Sequence, residues 1–395
     1  MNILFYTYYK VSPTKGGTER TTISVASGLK RYYGCRCYSI YIADADTPLE
    51  SCFEKEVQWK RLGGNGLSTF LKENKIDWVI CQGGFGKVKA FKKASEGTNC
   101  RIANVHHFEP GWEENFFRRD KLRYSIAESN SWKQKLKLMT KLTFFPFFRK
   151  RNLRHLKYNY RAAYDEADIT VLLCEGFIPL FMSYANITDD SKFRVIPNGL
   201  SYEEFLSLSD VCNKRKTALI VSRLAEVQKR LSLALRIWKE VKKRPESEGW
   251  ILNIVGHGSD EKLYRDMIKD DKIPDVCLLG RQQPKSYYEE ASIFLMTSKS
   301  EGWGLTLTEA QQFGVVPIAF NSYAALENIV TDGVDGIIIP ECDMSAYVKR
   351  LVNLMENREE RNRMAQNGIK NCKRFSQKEI AKKWWDILCG NILKD

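Results

Sequence analysis

The sequence predicts an α/β protein of two domains, each built on a parallel sheet covered by helices on both faces. Three observations carry that expectation. Short apolar runs of strand length alternate with helical stretches through both halves of the chain. Glycine-rich turns follow several of these runs, at Gly16 and Gly17, Gly83 and Gly84, Gly256 and Gly258, and Gly302 and Gly304. A turn at Pro197, Asn198 and Gly199 divides the 395 residues into two parts of ordinary domain size, with the boundary near residue 200.

Residues 2–7 (NILFYT) read as the first strand. Beyond Lys15, Gly16 and Gly17 open a helix that holds Ile23, Val25 and Leu29. A strand, a glycine pair and a helix start suit an anion or a hydroxyl-rich ligand, or else form a plain tight turn. Residues 77–81 (DWVIC) make the next strand, with Gln82, Gly83 and Gly84 at its exit, and residues 101–105 (RIANV) run into His106 and His107. Adjacent residues at a strand end face opposite ways, so only one of the two histidines can face a crevice at that end. No cysteine or carboxylate around them has metal-site spacing, so no metal is expected. Residues 168–174 (DITVLLC) close the first half.

Residues 216–221 (KTALIV) open the second half and lead past Arg223 and Lys229 into a helix with Leu231, Ala234, Leu235, Trp238 and Val241 on one stripe. Arg223 offers a planar fork and Lys229 a point charge, enough to neutralise a diphosphate without a metal, or else to form a basic surface loop. Arg230 reads as solvated. Residues 250–255 (WILNIV) end at Gly256 and Gly258, and residues 276–280 (VCLLG) end at Arg281. Residues 293–297 (IFLMT) lead to Glu301, Gly302, Trp303, Gly304, Leu305 and Thr306, where a helix opens; Gly314 stops it before the strand at 315–319. The free amides at that helix start carry the positive end of its dipole and suit a phosphate. Glu309, one turn on, is expected on the rim of the crevice, where its carboxylate can accept from a vicinal diol. Residues 375–394 read as a terminal helix with Trp384 and Trp385 as packing residues.

Glu301 and Glu309 are separated by seven residues. With Arg223, Lys229 and the Ile196-Pro197-Asn198-Gly199 turn, they make the chain resemble the retaining nucleotide-sugar glycosyltransferases of the GT-B fold, in particular glycosyltransferase family 4 among the group 1 enzymes. The resemblance implies two Rossmann-like domains facing each other across a cleft. Residues 1–200 would form the acceptor-side domain, with a basic and aromatic insertion at about 112–161. Residues 201–374 would bind the nucleotide sugar, and residues 375–395 would return to the first domain. It implies Arg223 and Lys229 on the donor phosphates, Glu309 on the ribose, and Glu301 with His107, or alternatively His106, on the sugar. Gly16, Gly17, Gly256, Gly258, Arg281 and the 302–306 turn would complete the donor site. The donor would be a nucleoside-diphosphate sugar, UDP-linked by preference, with no further cofactor. The acceptor would be a glycan or a lipid-linked glycan of surface polysaccharide or lipopolysaccharide synthesis. The reaction would be metal-independent transfer with retention, and no general base is assigned. Residues 321–327 lack the glycine pair and proline usual in the family before the next helix. A nucleotide-sugar 2-epimerase, a hydrolase or a non-catalytic nucleotide-sugar binder are the alternatives.

The net charge of +14 is concentrated in one segment. Residues 118–161, opened by Arg118 and closed by Arg161, hold fourteen Lys or Arg against Asp120 and Glu128. Aromatic and leucine residues interleave with them, which suits an anionic membrane surface, or else a core with a solvated basic face. Nucleic acid is not expected as a partner, because no nucleic-acid module accompanies the charge. The scattered cysteines, Cys81, Cys174 and Cys277 among them, read as reduced core residues. No run approaches the roughly 20 apolar residues of a membrane helix, and no charged leader precedes the first strand. The expectation is a cytoplasmic protein, peripheral on the inner face of the membrane.

Overall fold

The computed structural model describes residues 1–12, 16–44, 52–82, 85–129 and 131–390; Lys15, Gly83 and Gly84 of the expected turns lie outside them. The chain forms two compact units, one of Met1–Ile196 with Trp385–Asp395 and one of Pro197–Trp384.

The first unit carries strands β1 (Asn2–Tyr9), β2 (Arg36–Ala43), β3 (Lys55–Gln58), β4 (Trp78–Cys81), β5 (Arg101–Val105), β6 (Ile169–Leu172) and β7 (Phe193–Val195). They form one sheet in the order β3-β2-β1-β4-β5-β6-β7, parallel throughout. The second unit carries β8 (Thr217–Val221), β9 (Ile251–Val255), β10 (Val276–Gly280), β11 (Ile293–Met296), β12 (Val316–Asn321) and β13 (Ile337–Pro340), in the parallel order β10-β9-β8-β11-β12-β13. The expected α/β class with two Rossmann-like sheets is therefore observed.

β4, β6 and β11 are buried at every position, which explains their nearly all-apolar sequences, Thr170 of β6 being the exception: helices cover both faces, so no alternating polar face is needed. The helix Leu231–Val241 buries the expected stripe, and the Trp238 indole donates to the Pro274 carbonyl at 3.0 Å. Burying one such side chain contributes about 2–3 kcal/mol. The strand order reverses at β1/β4 and at β8/β11. Connections leave toward opposite faces at such a point and open a crevice beyond the carboxyl ends of the two strands.

Four differences from the sequence reading have physical causes. Strands β2, β3, β7 and β13 were not anticipated; β3 (KEVQ) is a charged edge strand with little apolar signal. Cys277 is exposed rather than buried, because β10 is the edge of its sheet, whereas Cys81 and Cys174 are buried as expected. The terminal helix is shorter than residues 375–394: it runs over Gln377–Leu388 after a 3-10 turn at Lys373–Phe375, and residues 391–394 lie outside the described ones. In the first unit Trp385 stacks on Tyr33 at 4.7 Å, and Trp78 Nε1 donates to the Leu388 carbonyl. Arg230, read as solvated, is half-buried and structural.

Between β5 and β6 the chain forms a 3-10 turn at Trp112–Phe117 and helices Arg119–Glu128, Trp132–Thr143 and Phe145–Glu166. Among the described residues no helix is long and apolar enough to cross a membrane.

Candidate functional site

In the second unit the loops that leave β8 and β11 are stitched to each other at the strand-order reversal. The Lys299 amide donates to the Gln228 carbonyl at 2.7 Å, and Gln228 Nε2 donates to the Ser300 carbonyl at 3.2 Å. Thr297 Oγ1 donates to the carbonyls of Lys229 and Arg230, both at 3.0 Å. Arg230 returns the tie with Nε on the Thr297 carbonyl and Nη2 on the Ser298 carbonyl, while Nη1 pairs with Glu341. Its backbone is left-handed (φ 49°), which turns the chain sharply from Lys229 into the next helix. Gln228 and Arg230 were missed as site-building residues because their partners lie about 70 residues away in sequence.

This stitching brings Lys229 and Glu301 together. Lys229 Nζ donates to Glu301 Oε1 at 2.5 Å, and the two side chains are only 15% and 10% exposed. Arg223 stays exposed, with Nη2 donating to Gln228 Oε1 at 2.9 Å. The helix Leu305–Gln312 begins at Gly304, whose φ of 98° places it in the region that favours glycine; a Cβ there would meet the Tyr323 hydroxyl at 2.9 Å. Its N-cap residue, Gly304, has no side chain to cap it; the Leu307 amide donates to the Gly304 carbonyl at 2.8 Å, and the Leu305 and Thr306 amides suit an anion. Gly302 and Thr306 are half-buried beside it. Trp303 and Leu305 are both buried, and Trp303 packs edge-on against Phe375. The 321–327 stretch anchors the same corner, with Ser322 Oγ donating to the Ser298 carbonyl at 2.5 Å.

Glu309 also departs from its expected place on the rim. It is fully buried, with Oε1 accepting from Ser201 Oγ at 2.5 Å and Oε2 accepting from the Tyr288 hydroxyl at 3.0 Å. Tyr288 is a core residue whose hydroxyl holds a carboxylate 21 positions on, a partnership that no local pattern shows.

The glycines after β9 serve the backbone. A Cβ on Gly256 would lie 1.8 Å from the Ser222 carbonyl oxygen, and one on Gly258 would lie 2.2 Å from that of Leu224. The close neighbour seen there is the β8 exit itself, carrying Arg223. Arg281 is exposed at the end of β10, which β9 separates from β8.

In the first unit, Gly16 and Gly17 open the helix Gly17–Tyr33, but the Gly16 amide donates to Glu19 Oε2 at 3.1 Å. A carboxylate thus already sits where an anion was expected. Both histidines are buried. His106 lies in a cage of Phe85, Tyr160 and Phe181, its Nε2 3.2 Å from the Tyr160 hydroxyl, which donates in turn to Glu113. His107 Nε2 donates to Gln82 Oε1, and its Nδ1 is buried without a partner. Burial lowers the His106 pKa to about 3 and that of His107 to about 4, so both rings are neutral at pH 7. A neutral His107 offers a lone pair at Nδ1, able to accept from a hydroxyl.

Among the described residues no group of His, Cys, Asp or Glu could hold a metal ion. The second-unit arrangement can bind an anionic, hydroxyl-bearing ligand: cations and uncapped amides for the charge, carboxylates for the hydroxyls.

Residues 209–371 match the family model described as glycosyl transferases group 1. Amylovoran biosynthesis glycosyltransferase AmsD of Erwinia amylovora is 30% identical over 177 residues, 44% of this chain and 48% of that protein. The chain spans about half or less of the length of the curated relatives it matches. Among solved structures, Anabaena HepE in complex with UDP-glucose superposes with a TM-score of 0.71 at 16% identity, covering 99% of this chain and 100% of that one. The lipopolysaccharide outer core galactosyltransferase WaaB superposes with a TM-score of 0.67 at 17% identity, covering 99% of this chain and 100% of that one. These likenesses bear out the expected group 1 resemblance and the GT-B class of fold.

Proposed function

With residues 209–371 carrying the pattern of the group 1 glycosyl transferases as premise, we propose that the protein transfers a sugar from a nucleoside-diphosphate sugar to a glycan or lipid-linked acceptor, with retention and without a metal. The observation that carries this reading is the Lys229–Glu301 pair, with Arg223 tied to the neighbouring Gln228, near the helix start at Gly304 and at the reversal of strand order. The diphosphate takes Arg223, Lys229 and the amides after Gly304, and the charge that builds on the leaving phosphate is met by groups already in place. Glu301 holds Lys229 forward in the free protein and accepts from a sugar hydroxyl once the phosphate engages Lys229. In the first unit, the buried Nδ1 of His107 accepts from a ligand hydroxyl. Glu309, clamped by Ser201 and Tyr288, reaches a ribose hydroxyl only by exchanging one of those partners. UDP is the favoured nucleotide: HepE is a UDP-glucose complex, and it shares the fold. Polysaccharide or lipopolysaccharide assembly is the favoured context, in keeping with AmsD and WaaB.

A panel of nucleoside diphosphates and their sugars, read by thermal shift on the wild type and on Lys229→Ala, tests the site. A ligand at 100 times its Kd stabilises by about 2.7 kcal/mol. The reading requires a donor that raises Tm in the wild type and has lost most of that effect in the variant. Absence of any shift in the wild type at millimolar nucleotide would remove the donor site.

A further inference from the structure

The helix Trp132–Thr143 is unusual among the helices of the chain because it buries none of its residues. Trp132, Leu136 and Met139 follow one another at helical spacing on one stripe, Phe144 and Phe147 come just after the helix, and all five are between 53% and 69% exposed. Lys133 and Lys135, both exposed, flank that stripe on its two sides, and Lys137 lies farther round. Leu138 and Leu142, on the flank beyond Lys135, are half-buried. Next to it an open groove is lined by Arg119, Arg149, Lys150, Arg154 and Lys157, with Phe145, Pro146 and Leu153 as its apolar part and no acid among its described lining residues. Arg119 lies over the Phe145 ring at 5.0 Å, and Arg149 is paired with Glu114.

We infer that this face docks on an anionic lipid bilayer, with the Trp132, Leu136, Met139 stripe and Phe144 and Phe147 entering the headgroup layer while the groove receives lipid phosphates. An exposed apolar stripe with lysines on both sides matches the boundary between hydrocarbon and negative charge that an anionic bilayer surface presents. A second copy meeting the first through the same face would set like cations against each other, which disfavours a symmetric dimer. Nucleic acid would satisfy the cations but leave the apolar stripe in water. Binding itself stands apart from the proposed transfer; only its purpose, bringing the enzyme to a lipid-linked acceptor, rests on that reading.

Co-sedimentation of the whole chain with vesicles of phosphatidylglycerol and phosphatidylcholine, against vesicles of phosphatidylcholine alone, tests the inference. The wild type is expected to pellet with the anionic vesicles at low salt, to be released as salt rises, and to ignore the neutral ones. Reversing Lys133, Lys135, Lys137 and Lys141 to Glu should lower the partition coefficient by at least two orders of magnitude. The triple variant Trp132→Ser, Leu136→Ser, Met139→Ser should lower it by at least tenfold, with far-UV circular dichroism unchanged because the helix has no buried residue to lose. Equal pelleting with both vesicles, or none with either, overturns the inference. So does vesicle-independent dimerisation, or oligonucleotide binding in place of lipid binding, if the same variants remove it. Nucleotide-induced stabilisation at the second unit is read separately, so either proposal can fail while the other stands.

Discussion

Lys229 and Glu301 are buried enough that removing one leaves the other nearly dry and unpaired. Lys229→Ala and Glu301→Ala should each destabilise by about 2–4 kcal/mol, and the double variant by less than the sum, with a coupling of about 1–3 kcal/mol in urea unfolding. Additive losses would mean that the pair is not formed in solution. The histidines give a pH signature of known sign. Their folded pKa values, about 3 and about 4, lie below the ordinary value near 6.5, so between those limits the unfolded chain binds protons that the folded chain refuses. Stability is therefore full above about pH 6.5 and falls as pH drops through the window, by up to about 1.4 kcal/mol per pH unit for each histidine. His106→Phe, which keeps an aromatic ring in the cage, should remove one histidine's share of that slope. An unchanged slope would show that His106 is free to protonate in the fold. At this scale the sequence was only partly legible. It marked Lys229 and Glu301 by residue type and position, but it could not show that Glu309 is covered, because its partners Ser201 and Tyr288 lie 108 and 21 positions away.

Elements are held at the site by backbone proximity as much as by side chains. The exits of β8 and β9 pass so closely that Gly256→Ala forces two loops apart, and a loss of at least about 2 kcal/mol is expected, seen as a lower Tm and weaker nucleotide binding. Gly34→Ala is the control: Gly34 is also left-handed (φ 62°), yet nothing lies within 4 Å of its missing Cβ, so only the backbone penalty of about 1 kcal/mol applies. If both variants melt alike, close approach is not what Gly256 provides. Arg230→Lys should loosen the β11 exit, since an ammonium cannot reproduce the fork that spans the Thr297 and Ser298 carbonyls. A fall in nucleotide affinity with little change in the helix Leu231–Val241, read by hydrogen exchange, is the expected outcome. Strands buried on both faces were readable as apolar runs, and the helix Leu231–Val241 as a stripe. β3 was not, since an edge strand of four residues carries two charged groups and no periodic signal; Cys277 was misplaced for the related reason that edge position is a property of the sheet.

Taken as a whole, the molecule repeats one architectural unit, and that repetition was legible because each parallel strand needs a crossover, which writes strand and helix alternately along the chain. Long-range closure was not legible: it depends on pairs such as Trp78 with Leu388, 310 positions apart. That pair has a temporal meaning. At about 5–20 residues per second, a ribosome takes roughly 15 to 60 seconds to pass from one to the other. Throughout that interval the nascent first unit lacks Trp385 to Leu388, so the face of Tyr33 that stacks on Trp385 is uncovered and Trp78 Nε1 has no Leu388 carbonyl to donate to. The second unit, whose residues are contiguous, has no such delay. The half-made protein therefore offers chaperones a defined apolar surface, and a chain stalled before Trp385 should be bound by them and degraded while a chain reaching Leu388 escapes.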